Sequence, residues 1–246
     1  MQLNFGQGAL WGERTDVTGS GIGPRQFGIL QEVSIDFSWT DKELYGQMQF
    51  PVKVARAQGK ITGKAKFAQI MGLLYSDIFF GMTTTPGQFA VAQYESNLVP
   101  TGLIIFVSHA NAYVDDLGVT YANNSMRFNR VMTPTQPGQY AVNFATGAYT
   151  FSSADAGAMV QISYTYNVTS SGVTTAITNQ FTGVTPTFKA TLYSSYGGDG
   201  STLRLNACVA EKLTMPFMMA TWTLQDLDFV ALADSSGSIG SLSTVE

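Results

Sequence analysis

Charge is what this sequence has least of. Asp, Glu, Lys and Arg make up 12% of its 246 residues, against about 25% in an ordinary globular domain. Disorder does not explain the shortage, because disordered chains are rich in charge and poor in aromatics, whereas Phe, Trp and Tyr reach 12% here. A foldable chain with so few charges has little to keep its copies apart in solution. Much of its surface is therefore expected to be covered by other subunits, the competing reading being a monomer with a neutral Ser/Thr/Asn-rich exterior. The net charge of −4 argues against a basic surface that grips nucleic acid. Cysteine and histidine are nearly missing as well. A lone Cys208 excludes an intrachain disulfide framework, and a lone His109 leaves any His-based zinc site or Ser-His-Asp triad dependent on one residue. Around His109, Val107-Ser108-His109-Ala110 offers no glycine-flanked nucleophile. The longest clearly apolar run, Leu103 to Val107, is far short of the roughly 18 residues a membrane span needs. The start, Met1-Gln2-Leu3-Asn4-Phe5-Gly6, has neither a basic n-region nor an apolar h-region, so no signal peptide is expected and synthesis is expected to end in the cytoplasm.

What is present is period-2 alternation, the mark of half-buried strands. Val33, Ile35, Phe37 and Trp39 alternate with Glu32, Ser34, Asp36 and Ser38. Between Arg56 and Phe67 the pattern returns with opposite charge, Lys60, Lys64 and Lys66 sharing one face and Ile61, Gly63, Ala65 and Phe67 the other. Paired antiparallel, the two stretches set an acidic row against a basic one, at roughly 0.2–1 kcal/mol per opposite-charge pair. Thr40 to Ala55 lies between them and reads as a long inter-strand loop. Its large apolar residues Leu44, Tyr45, Met48 and Phe50 argue against disorder and for burial, against this chain or another subunit. Phe67, Ile70, Met71, Leu74 and Ile78 form one apolar stripe, predicting a helix over about 67–80 that ends at Gly81 and covers a face of the sheet. Thr83 to Gln88 reads as a loop. Short strands follow at Leu103–Val107, Tyr113–Val114, Tyr140–Phe144, Tyr149–Phe151 and Met159–Tyr166, with a turn at Ser170-Ser171-Gly172. The expected organisation is a mainly β core from 1–87 and 169–246 with a β-rich insertion at 88–168, in the same domain or as a small outer lobe. Later strands are expected at Thr187–Tyr193 and Leu203–Val209, joined by a turn at Tyr196–Gly200, and a last one within Trp222–Ala233.

Candidate chemistry is sparse. Gly19-Ser20-Gly21-Ile22-Gly23-Pro24 has the glycines of a phosphate loop without its Gly-Lys-Ser/Thr ending or a following helix, and reads as a turn. Asp115-Asp116 could offer oxygens to calcium, but the EF-hand spacing is absent. Asp226 and Asp228 could in principle serve glycoside hydrolysis, yet their alternation with Leu227 and Phe229 fits the outer face of a strand. Cys208 falls in phase with Arg204 and Asn206 on the polar side of its strand. No catalytic residue, metal site or cofactor is expected.

Several stretches together resemble the tail tube (major tail) proteins of tailed phages. They include Phe27 to Asp36, Lys42-Glu43-Leu44-Tyr45-Gly46-Gln47, Phe50-Pro51-Val52, Lys60 to Phe67, Ile162-Ser163-Tyr164-Thr165-Tyr166, Leu205 to Val209 and Asp226-Leu227-Asp228-Phe229. The likeness spans most of the chain and lies in texture, not in a catalytic signature. It implies a β-sandwich or barrel-like core with one flanking helix, and rings of six subunits stacked into a channel for the genome. In that frame Asp41, Leu44, Tyr45, Met48, Phe50 and Pro51 belong to the loop that reaches the next ring. Glu32, Asp36, Lys60, Lys64 and Lys66 form a face toward the lumen or a ring contact. The implied partners are further copies of the chain, a tip or baseplate initiator, a terminator and, in contractile tails, a sheath. DNA passes without specific binding, no membrane is involved, and the place is the virion tail, assembled in the bacterial cytoplasm. The alternative is a carbohydrate-binding or adhesive β-sandwich, such as a capsid decoration or receptor-binding protein, with Tyr113, Tyr121, Tyr193 and Tyr196 stacking on sugars.

Overall fold

Alternation becomes strand almost everywhere it occurs. A computed structural model describes residues 8–17, 23–69, 71–196 and 199–244; most of the Gly19–Pro24 turn, Ile70 of the apolar stripe and Gly197-Gly198 lie outside them. In chain order the first strands are β1 (Gly8–Arg14), β2 (Arg25–Gln26), β3 (Leu30–Tyr45) and β4 (Pro51–Phe67). After a short helical segment come β5 (Thr84–Leu98), β6 (Ile104–Phe106), β7 (Tyr113–Tyr121), β8 (Asn129–Arg130), β9 (Gln139–Asn143), β10 (Ala148–Phe151) and β11 (Met159–Thr175). The chain closes with β12 (Thr187–Tyr196), β13 (Asp199–Thr214), β14 (Gln225–Leu232) and β15 (Gly240–Thr244). The protein is mainly β, in two compact units: one built from the chain up to Thr84 and from Thr175 onward, the other from Thr85–Thr174.

The first unit is an eight-stranded antiparallel sheet in the order β2-β1-β12-β13-β14-β4-β3, with β15 continuing beside β13 where β14 has left it. The sheet curls, so that Leu30, Val33 and Ile35 of β3 face Leu192 of β12 and Leu203 of β13 across a groove of about 490 Å³. Its concave side carries the core, in which Leu10, Phe27, Phe67, Phe188, Leu227 and Phe229 are all buried. Phe27 meets Phe67 edge to face at 5.6 Å, and Phe188 meets Phe229 in the same way at 5.7 Å. Such pairs add about 0.5–1.5 kcal/mol each beyond the area they bury.

The expected helix over 67–80 is shorter than its apolar stripe. It comprises an α-turn, Gly72–Tyr75, that runs into a π-turn, Ser76–Phe80. Phe67 is instead the last residue of β4, because it continues the inward period-2 series Gly63, Ala65, Phe67. The segment does cover the sheet: Leu74, Tyr75 and Ile78 join the core. A Cβ on Gly12 would run into the Ile78 side chain and the Phe27 ring, so glycine is what lets the segment lie that close to β1. It ends at Gly81, whose left-handed φ of 65° lets its N–H close back on the Ser76 carbonyl at 2.7 Å.

Three further expectations are corrected. Thr83–Gln88 is not a loop, since β5 begins at Thr84, and the Thr174 hydroxyl donates to the Gly87 carbonyl at 2.8 Å. Ser170–Gly172 is not a turn but part of β11, Gly172 taking a φ of 81° within the strand. Cys208 does not share the polar face of Arg204 and Asn206. A register shift between Phe188/Cys208 and Ala190/Leu205 places two β13 residues opposite one of β12, which rotates Cys208 into the core. Burial pushes its thiol up to about 12, so it stays protonated and unreactive.

The second unit has a four-stranded sheet, β6-β10-β9-β8, and a three-stranded sheet, β5-β11-β7. Its core is aromatic to an unusual degree: Phe128, Tyr140, Tyr149, Phe151 and Tyr164 are buried with Val119, Val160 and Ile162. Tyr140 stacks on Tyr149 at 5.8 Å, and Phe128 meets Phe151 edge to face at 5.7 Å.

Candidate functional site

The segment Thr40–Ala55, expected as a loop, is instead the distal half of a paired ribbon. β3 runs to Tyr45 and β4 starts at Pro51, leaving only Gly46–Phe50 as the connection. The pairing continues through Asp41↔Arg56, Lys42↔Ala55, Glu43↔Val54, Leu44↔Lys53 and Tyr45↔Pro51. Register shifts between Trp39 and Asp41 and between Leu44 and Tyr45 break the alternation there. A break in period hides a strand without preventing it.

Among the described residues this ribbon has no third strand. β14 pairs with β4 only from Gln225↔Phe67 to Ala231↔Ile61. Beyond that point every residue from Asp36 to Phe50 and from Val52 to Lys60 is exposed. The arm is held by its own cross-strand contacts. The Gln58 N–H donates to the Thr40 hydroxyl at 3.1 Å, the Ser38 hydroxyl donates to the Lys60 carbonyl at 3.2 Å, and the Arg56 guanidinium sits over the Trp39 ring at 4.5 Å. The Tyr45 hydroxyl donates to the Glu43 carboxylate. An isolated two-stranded ribbon is marginally stable in water, and its unpaired edges invite another strand.

The apolar residues predicted for this segment sit at or near the tip. Met48 and Phe50 are each 80% exposed, and Leu44, Tyr45, Val52 and Val54 are exposed with them. Asp41 lies lower on the arm opposite Arg56, while Pro51 opens β4 and is partly covered. Phe37 and Trp39 continue the inward series of Val33 and Ile35, but stand beyond the end of the core and are exposed. These exposed apolar side chains lie close together on one end of the ribbon.

The expected charged face forms on the convex side of the sheet and is richer than the sequence reading had it. Two rows run across the strands: Glu32–Lys66–Asp226 and Ser34–Lys64–Asp228–Lys212. Lys66 bonds Glu32 at 2.8 Å, which raises the lysine pKa and lowers that of the glutamate. Asp36 faces Thr62, and Lys60 faces Ser38. Asp226 and Asp228 thus alternate with lysines on an open face. Exposed pairs of this kind are screened by solvent and add little to stability, so what they give the face is alternating sign and strand register.

Two apolar surfaces escaped the sequence reading. Coil 215–224, between β13 and β14, exposes Met215, Phe217, Met218, Met219 and Trp222, the last two at 97% and 92%. Coil 176–186, before β12, exposes Ile177, Phe181 and Val184. The available signal was Met-Pro-Phe-Met-Met-Ala-Thr-Trp, an apolar run with neither the period of a strand nor that of a helix.

In the second unit the acidic side chains Asp116, Asp155 and Glu95 are hydrogen-bonded, while the Thr120 hydroxyl is buried without a partner. Asp116, with a side chain 3% exposed, accepts from the hydroxyls of Tyr140 at 2.6 Å and Tyr149 at 2.9 Å, the Gly118 N–H at 2.9 Å and Arg130 at 3.2 Å. Asp155 accepts from Tyr121 at 2.5 Å and from the Gly138 N–H at 3.0 Å. Glu95 accepts from Tyr164 at 2.6 Å and from the Ser108 N–H at 3.0 Å. Burial pushes the Tyr113 hydroxyl up to about 12 and those of Tyr140, Tyr149 and Tyr164 higher, which keeps them protonated as donors. Of the tyrosines considered for sugar stacking, Tyr113 packs on Tyr149 and Tyr164, Tyr121 lies 4.1 Å from Phe128, and Tyr193 is partly exposed; the side chain of Tyr196 falls outside the described residues. His109 packs its ring edge to face on Tyr166 at 3.8 Å. Among the described residues no cluster of His, Cys, Asp or Glu could hold a metal ion, and no helix is long and apolar enough to cross a membrane. Neither a model of a known protein family nor a curated protein matches the sequence.

Proposed function

We propose that this chain is a structural subunit that assembles with copies of itself into stacked rings around a channel, as the tube of a phage tail. The observation that carries the proposal is the arm: paired strands exposed on both faces, with an apolar tip, for which the described residues supply no cover. Its completion by another copy removes the open edges and the exposed apolar surface together. A contact between unlike surfaces closes into a ring when its rotation closes, and repeats along an axis when it does not. The low charge fits surfaces that meet one another. The face bearing Glu32, Asp36, Lys60, Lys64 and Lys66 suits a duct wall, since alternating signs offer phosphates no sustained basic track.

On this reading the chain is not an enzyme and needs no cofactor. Its further partners are the tail components that start, end and surround a tube, and its place is the virion. Negative-stain electron microscopy of the purified protein across a concentration series is the test. Rings or hollow tubes are the expected result, and discrete monomers at every concentration count against the proposal. The sugar-binding alternative loses ground because Tyr113 and Tyr121 are committed to packing within their own unit.

A further inference from the structure

The register of the first unit places its apolar surfaces at opposite ends of one sheet. β4 runs from the arm tip at Pro51 to Phe67, and Phe67 is level with Gln225, the residue that follows coil 215–224. β13 ends at Thr214 opposite Asp226, and β12 begins at Thr187 opposite Val209, so coil 176–186 leaves the sheet in the same direction. The arm leaves in the other. β4 is 17 residues long, which puts its two ends about 55 Å apart at ~3.3 Å per residue. A coil of 215–224 anchored at both ends reaches about 17 Å from its anchors at ~3.5 Å per residue. The tip and coil 215–224 of one molecule therefore cannot meet.

We infer that the arm tip of one copy seats on coils 215–224 and 176–186 of the next copy along the strand direction. This rests on the self-assembly reading and names the partner surface within it. Both surfaces are uncharged. The tip, Gly46-Gln47-Met48-Gln49-Phe50, has no ionisable group, and neither do Met215–Leu224 or Ala176–Pro186, whereas the arm's stem carries Asp41, Lys42, Glu43, Lys53 and Arg56. A neutral apolar tip finds no unpaired charge to desolvate on these coils, and would bury one on the alternating rows of the convex face. The area is adequate too. Aromatic side chains bury about 150–250 Å² each, so Tyr45 and Phe50 with Leu44, Met48, Val52 and Val54 approach the ~800 Å² per partner of a standard interface. Methionines on the coil, unbranched and polarisable, adapt to such a tip. The contact joins unlike surfaces by translation along the strands, which is the geometry that propagates an assembly.

Cysteine cross-linking tests this. Met48→Cys and Met219→Cys are made singly on the full chain; both side chains are exposed, and native Cys208 is buried and silent. Under mild oxidation, a mixture of the two variants is expected to give a disulfide-linked dimer, and the double variant a ladder. Met48→Cys with Met132→Cys, an exposed position in the other unit, is expected to give neither. A second readout uses Trp222→Asp, expected to stay folded by circular dichroism and to raise the concentration threshold for assembly at least ten-fold. Wild-type assemblies that form normally without a 48–219 cross-link overturn the acceptor alone, as does Trp222→Asp assembling at the wild-type threshold. A wild-type protein that never assembles overturns both the acceptor and the reading beneath it.

Discussion

The second unit and the arm of the first handle aromatic residues in opposite ways. In the second unit Tyr140, Tyr149, Phe151 and Tyr164 are buried, and every buried tyrosine hydroxyl there has a partner. In the arm Phe37, Trp39, Tyr45 and Phe50 are exposed, with only the opposite strand of the ribbon for support. The same charge-poor composition thus yields a core whose aromatics are covered within the chain and an arm whose aromatics are not. Aromatic content by itself reports neither state. The difference lies in whether a third element of the chain lies against the residue.

That contrast can be broken in several places. The largest expected effect is on assembly: deleting Leu44–Phe50 abolishes polymerisation by sedimentation and electron microscopy, while circular dichroism stays β-rich and melting is little changed. Normal polymers from the deletion would show that the arm is dispensable. Asp116→Ala should do the reverse, destabilising the second unit by about 2–4 kcal/mol, because it leaves the buried Tyr140 and Tyr149 hydroxyls without their acceptor. Chemical denaturation reads the size of that loss, and an effect under 0.5 kcal/mol contradicts the network account.

Acid should separate the regions next. Burial works to raise the Glu95 pKa, but hydrogen bonds from Tyr164, Asn97 and Ser108 outweigh it and hold the carboxyl below its ordinary value. A carboxyl depressed in the folded state contributes stability that is present above its unfolded pKa and lost as pH falls through its folded one. Thermal melts from pH 6 downward should therefore show loss beginning near the ordinary glutamate range, with Glu95→Gln flattening the curve there. Identical curves for the two proteins count against it. The smallest effect belongs to Lys66→Ala. Its pair with Glu32 is fully exposed and screened by solvent, so melting is expected to stay at the wild-type value, and a clear shift would mean the charged rows do more than fix register.

Much of the first unit was legible in its sequence. The pairing of β3 with β4 follows from matched alternation and opposite charge, and the Glu32–Lys66 pair realises it. The helical segment's inner residues and its stop at Gly81 follow from spacing and from glycine's tolerance of positive φ. Two of the features that stayed hidden share one cause. Register shifts near Trp39, Leu44 and Cys208 change the phase of alternation, so the arm read as a loop and a core cysteine as a polar-face residue. Phe67 fits both periods at once, so periodicity alone places it in the helix as readily as in β4. For the candidate site, sequence marked Leu44, Tyr45, Met48 and Phe50 as an apolar group in need of cover, but not that they crown a paired arm. It missed Met215–Trp222 because exposure depends on which strands stop short, and residue type does not record that.

The most direct measurement is amide hydrogen exchange on the arm at low and at high protein concentration. Completion by another copy predicts that amides of Phe37–Tyr45 and Val52–Lys60 exchange quickly when dilute and become strongly protected when concentrated, while the core strands β9, β10 and β11 exchange alike in both. Arm amides that exchange at the same rate at every concentration would contradict the central claim that this arm is one half of a contact between copies.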